Sequence, residues 1–208
     1  MTSPLVPFGK ARGERADAAR NRERLLETAR AMIAEHGTQQ VTMDGLAERA
    51  GLGKGTVFRR FGSRAGIFEA LLDDDERRFQ ERVLSGPPPL GPGADPGRRL
   101  VAYGCARIPF LLEHHAIARA AVDRSLPVPA GAVSMTQPHI RMLLGLAGMP
   151  PAQLDGLAVQ LTAALEGPLM LYLSADEVPD PLERCAPHPL VDGWRFLVER
   201  LLGADRSS

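Results

Sequence analysis

Residues Gly51–Ser63, GLGKGTVFRRFGS, decide how this chain is read. The stretch is glycine-rich, carries one lysine, and sets two arginines between phenylalanines. Such a segment either loops around nucleotide phosphates or forms a helix that lies against DNA. A phosphate-binding loop needs Gly, four residues, then Gly-Lys-Ser/Thr. Here Gly53-Lys54 is followed by Gly55, and Glu48 stands five positions before Gly53. The dinucleotide fingerprint fails at its third glycine, where Thr56 stands. Both loops also follow a β-strand, whereas MDGLAERA at 43–50 reads as helix.

The helical reading succeeds. Thr42 can cap a short helix carrying Leu46, Ala47 and Ala50 on one side, and Gly51 can end it. A second short helix runs from Lys54 to Arg60. Two short helices around a tight glycine turn make a helix-turn-helix. Leu46, Ala47 and Leu52 fill its interior, with Val57 and Phe61 completing it. Lys54, Thr56, Arg59 and Arg60 then point outward, and Gly55 leaves the backbone bare for close approach. Arg and Lys supply the phosphate attraction that dominates DNA affinity, and Arg59 or Lys54 can hydrogen-bond guanine.

Working outward, residues 1–16 read as a disordered arm of Pro, Gly and charge. A helix is expected from Asp17 to His36, with Leu25, Leu26, Ala29, Met32 and Ile33 at helical spacing. Ser63 caps a longer helix whose apolar side is Ile67, Phe68, Leu71 and Leu72, with DDDERR as its wet side. SGPPPLGPGADPG at 85–97 is a linker or long loop. Helices follow at about 96–114, 116–124, 139–147, 152–174 and 190–202, with Pro109 and Pro168 inside two of them. The expected organisation is an arm at 1–16, a helix-turn-helix domain at 17–62, a connecting helix at 63–84 and a larger helical domain at 85–208.

Composition agrees. Apolar residues are 44% of the 208 and aromatics 5%, as in an all-α protein with an aliphatic core. The formal net charge is zero, yet residues 1–64 carry 12 basic and 7 acidic side chains and the remainder the opposite surplus. Only the front is built to meet a polyanion. Cys105 and Cys185 show no metal-ligand spacing, which fits a reducing cytoplasm. No apolar run reaches membrane length and the N-terminus has no apolar signal segment. Neither a cofactor nor a metal is expected: His114 and His115 are adjacent, and neighbouring helical residues diverge by about 100°.

On these residues, VTMDGLAERAGLGKGTVFRRFGSRAGIFEALL at 41–72 resembles the DNA-binding domain of tetracycline-repressor-type (TetR) regulators, and the likeness covers about 18–75. The resemblance implies a three-helix DNA-binding domain followed by a larger helical domain for ligand binding and dimerisation. It implies Thr42 on a DNA phosphate, Gly53, Lys54 and Gly55 against bases or backbone, and Thr56 reading a base. Arg64 stands where such regulators usually carry a phosphate-binding lysine. Phe58 replaces a usual tyrosine, Arg60 a frequent histidine, and Gly66 an acidic residue or alanine. Phe58 has no hydroxyl for a phosphate, and Arg60 can replace that contact.

Two apolar stripes in the rear suit a four-helix dimer interface: Leu154, Leu157, Leu161 and Leu165, then Trp194, Leu197, Val198 and Leu201. The same stripes could face their own core. Candidate effector contacts are Tyr103, Arg107, His114, Glu166 and Tyr172, with Phe110, Met142 and Met170 as apolar walls. The resulting expectation is a homodimeric repressor on a palindromic operator of double-stranded DNA, released by an unidentified small molecule. A helical adaptor for an acidic protein, or an all-α enzyme, are the alternatives; no catalytic spacing is visible for the second.

Overall fold

The computed structural model describes residues 12–121, 135–172 and 189–204, and all regular structure among them is helical. The chain divides into two compact units, one through Leu71 and one from Leu72. The boundary falls inside a helix, not at the 62/63 or 84/85 positions expected from sequence. No Gly or Pro stands between residues 67 and 85 to end that helix at the boundary.

In the front unit, α1 spans Arg12–His36. It begins five residues before the expected Asp17, so residues 12–16 are helix and not arm; residues 1–11 lie outside the described part. The Ala-, Arg- and Glu-rich run at 11–20 has high helix propensity, and no proline interrupts it. Leu25, Leu26, Ala29 and Met32 form the buried side of α1. Gly37 leaves it at φ 76°, and a 3-10 turn at Thr38–Gln40 leads to Val41. Then come α2, Met43–Ala50, and α3, Lys54–Phe61. Next, α4 spans Arg64–Ser85. Ser63 Oγ accepts the Gly66 amide at 3.1 Å, so the expected cap is present. A Cβ on Gly66 would overlap the Phe61 carbonyl oxygen. Glycine at this position is what lets the chain turn tightly from α3 into α4.

The rear unit holds the rest of α4, then α5 (Pro96–Glu113), α6 (His115–Ala121), α7 (Thr136–Leu146), α8 (Pro151–Tyr172) and α9 (Pro189–Ala204). Helix α5 is the hub, packing on α7, α8 and α9. Asp95 starts it: its Oδ1 accepts the Gly97 and Arg98 amides at 3.0 and 3.1 Å, with Pro96 in the first turn. Thr136 begins α7 before the expected His139, because Pro138 in a first turn costs no intrahelical hydrogen bond. The core joins Phe79, Val83, Leu100, Tyr103, Ile140, Leu143, Leu144, Ala158 and Val198.

The two apolar stripes expected to face a partner, their own core or both lie mostly inside their own chain. Leu154, Leu161, Leu165, Trp194 and Val198 are buried in their own chain's core. Leu157 and Leu201 pack partly against that core. Leu197 alone of that set is exposed, at 42%. Stripe spacing finds the face that is buried on folding, and that face here is occupied intramolecularly.

Helices α5 and α9 fit closely. Trp194 Nε1 donates to the Leu100 carbonyl at 3.1 Å. Its indole lies where a Cβ on Gly104 would be. Gly104→Ala is therefore expected to cost about 1–3 kcal/mol by overpacking, read as a lower thermal midpoint and an altered Trp194 emission.

His139 is buried on α7, its ring 4.9 Å from Tyr103, and its Nε2 has no hydrogen-bond partner among the described residues. Burial, assisted by the Arg99 charge, pulls its pKa down to about 4. The neutral ring is thus the folded form. Between its ordinary value near 6.5 and about 4, the unfolded chain binds the proton and the folded chain does not. Stability should fall as pH drops through that window. His139→Leu should flatten the fall, measured as urea midpoint against pH.

Candidate nucleic-acid interface

Thr42 opens α2 with extended φ/ψ of −121° and 157°, and its Oγ1 accepts the Gly45 amide at 3.0 Å. At the far end Gly51 is left-handed, at φ 63° and ψ 36°. The Gly51 and Leu52 amides donate back to the Glu48 and Ala47 carbonyls, both at 3.0 Å. This closes α2 and turns the chain at once into α3. Leu46, Ala47, Ala50 and Val57 are sealed between the two helices, each 2% exposed or less. Arg49 on α2 pairs with Glu35 on α1, and that hydrogen bond holds the Glu35 carboxyl below its usual range.

With Val57 fixed inward, α3 turns Lys54, Gly55, Phe58 and Arg59 outward. Phe58 is 62% exposed, which no demand of the chain's own core explains. Gly55 has no neighbour within 4 Å of a built Cβ. No side chain caps α3 at Gly53, leaving the N-terminal end of the helix open. Lys54 Nζ lies 2.8 Å from Asp44 Oδ2, an exposed pair of the kind worth 0–1 kcal/mol. Arg59 Nε donates to the Gly55 carbonyl at 3.2 Å within the helix.

The remaining candidates are placed differently. Thr56 is half-buried and, with Arg59 and Arg60, lines a cleft of about 390 Å³ against Asp17, Ala18 and Asn21 of α1. Arg60 donates to the Ala18 carbonyl at 2.7 Å, pinning α1 to α3. Arg64 donates to the Val41 and Thr38 carbonyls at 2.8 and 2.6 Å and lies over the Phe68 ring at 5.0 Å. It therefore holds the turn that delivers Thr42. Sequence reasoning missed the roles of Asp44, Ala18 and Asn21, since contacts between helices leave no periodic signal.

In the rear unit several effector candidates come together. Arg107 is buried; it bonds Glu76 at 2.5 Å, approaches Glu166 at 3.6 Å, and stacks over Phe79 and Phe110. His114 contacts the Phe110 carbonyl through Nδ1 and Asp75 through Nε2, at 2.7 and 3.1 Å. Tyr103 donates to Thr136 at 3.0 Å, and burial pushes its phenol up. The run DDDERR is thus not simply a wet side: Asp74 is buried and Glu76 faces Arg107. Met142 is separate, exposed at 43%, and the side chains of Met170 and Tyr172 lie outside the described part.

Comparison with known proteins agrees with the geometry of the front unit. Residues 25–71 match the model of bacterial regulatory proteins of the tetR family. The front unit thus carries the sequence pattern of the tetR-family regulatory domain. The HTH-type transcriptional repressor AcnR of Corynebacterium efficiens is 38% identical over 63 residues, 30% of this chain and 34% of that protein. The chain thus matches only about a third of the length of such curated relatives. A TetR transcriptional regulator from Rhodococcus sp. RHA1 shares the fold at TM-score 0.53 and 22% identity, over 90% of this chain and 98% of that one. A tetR-family regulator from Streptomyces coelicolor does so at 0.55 and 19%, over 89% and 81%. Among the described residues, no helix is long and apolar enough to cross a membrane.

Arg64→Ala should lower front-unit stability by about 1–2 kcal/mol, because the part-buried Thr38 and Val41 carbonyls lose a charged donor. Arg64→Lys should not restore it, since an ammonium lacks the fork that spans Thr38 and Val41. Urea unfolding followed by circular dichroism reads both.

Proposed function

We propose that this chain is a DNA-binding transcriptional repressor that acts as a homodimer on a palindromic operator and is released by a small-molecule effector. The observation that supports it best is the outward face of α3. A lysine, an arginine, a bare glycine backbone and an exposed phenylalanine share one face of a helix whose other face is locked by Val57. That face suits a major groove: Lys54 and Arg59 for phosphate or guanine, Phe58 for a thymine methyl or sugar, and Gly55 for close approach. The match of residues 25–71 to the tetR-family model and the likeness of that stretch to a named repressor favour the same reading. A protein that acts on bacterial DNA works in the cytoplasm.

One reading helix makes few contacts, so a two-fold pair doubles them on an inverted repeat. The surface that suits pairing is not the stripe of buried leucines. Exposed apolar side chains remain on both helices: Val159 on α8, and Phe196 and Leu197 on α9, at 53%, 62% and 42%. Gly156 and Gly193, with open space around them, would let partner helices approach closely. An effector that fits one arrangement of the dimer better shifts the population away from the spacing of about 34–36 Å between successive grooves.

Selection of bound sequences from random duplex DNA should return an inverted repeat; a set of sites without symmetry contradicts the dimeric reading. On the selected site, Lys54→Ala should lower affinity about tenfold and leave the oligomeric state unchanged. Asp44→Asn should raise affinity severalfold at low salt, because Lys54 loses its competing carboxylate and the interface loses a negative charge.

A further inference from the structure

The rear unit contains a groove that none of the effector candidates read from sequence lines. It has a volume of about 850 Å³ and lies between the end of α4, the Pro89–Leu90 loop, the first half of α5, and α9. That volume falls in the range of small-molecule sites. Its floor is apolar: Leu90, Val101, Ala102, Ala106, Val198 and Leu202. Its rim is charged. Arg82 comes from α4, Arg98 from α5 and Arg195 from α9, opposed by Asp95 and Glu199. Asp95 already serves the first-turn amides of α5. No ion pair joins Arg82, Arg98 or Arg195 to another described residue. Three separate helices thus bring guanidinium groups, with no carboxylate partner among the described residues, to the edge of one apolar trough.

We propose that this groove binds an amphipathic carboxylate, with its hydrocarbon body on Val101, Ala102, Ala106 and Leu202 and its carboxylate among Arg82, Arg98 and Arg195. An apolar body with one anionic end matches both parts of the lining. Burying the body removes apolar surface from water, and the guanidinium fork receives a carboxylate through two hydrogen bonds. A neutral lipid leaves the arginines without a partner, and a small anion leaves the trough empty. The Arg107 cluster is a poorer acceptor of the same ligand, because Glu76 and Glu166 already face its guanidinium. The site is independent of the DNA-binding reading, and its test uses no DNA.

The protein's single tryptophan is a reporter, since Trp194 on α9 is buried against Gly104, next to the groove residue Cys105. Laurate, titrated below its micelle concentration into the full chain, should change Trp194 emission saturably and release or absorb heat in calorimetry. Dodecanol should bind at least tenfold more weakly. Arg98→Ala and Arg195→Ala should each weaken laurate binding about threefold, the size of one exposed charge pair. Ala102→Phe should abolish binding by filling the trough, with an unchanged circular dichroism spectrum showing that it folds. In a Cys185→Ser background, laurate should slow thiol labelling of Cys105. The proposal is overturned by absence of any laurate signal, by equal binding of dodecanol, or by binding that survives Ala102→Phe and is lost in Arg107→Ala instead.

Discussion

The left-handed backbone at Gly51 is the constraint on which the front unit depends. A β-carbon strains that conformation, so the residue that ends α2 has to be glycine or accept a penalty. Because the turn is tight, α3 starts at Lys54 with its azimuth already set. Val57 then falls into the gap that Leu46, Ala47 and Ala50 leave open. Everything proposed for the outward face follows from that placement. A looser turn would let α3 rotate, and the face that carries Lys54, Phe58 and Arg59 would no longer be held outward.

Arginines in this chain divide by what their guanidinium groups already hold. Arg64 and Arg60 spend donors on backbone carbonyls at Thr38, Val41 and Ala18, and so position the helices. Arg59 bonds its own helix and stays at the surface, where its partner can be exchanged. Arg107 is committed to carboxylates and aromatic rings in the rear core. Arg82, Arg98 and Arg195 rim an apolar trough with no carboxylate partner among the described residues. One residue type thus serves as strut, contact and anion receptor, and only the local acceptors distinguish these uses.

The two units differ in how they use glycine and tryptophan. In the front unit, glycine sets turns at Gly51 and Gly66 and clears a surface at Gly55. In the rear unit, Gly104 admits the Trp194 indole and draws α9 onto α5. That close approach buries Trp194 and Val198 internally and leaves Phe196 and Leu197 outside.

The local chain determined the helix-turn-helix by itself. Thr42 as cap, Gly51 as terminator, apolar spacing at Leu46, Ala47 and Val57, and Ser63 before α4 are all short-range signals, and each element formed where those signals stood. The all-helical class and the position of the Pro-rich loop before α5 were legible for the same reason. What tertiary structure decided were pairings between distant segments: Arg64 with Thr38, Arg60 with Ala18, Arg107 with Glu76, and Trp194 with Gly104. It also decided which apolar residues of α8 and α9 face inward. Periodicity identifies a face but not what covers it, and a guanidinium's role depends on acceptors that only folding brings within hydrogen-bond reach.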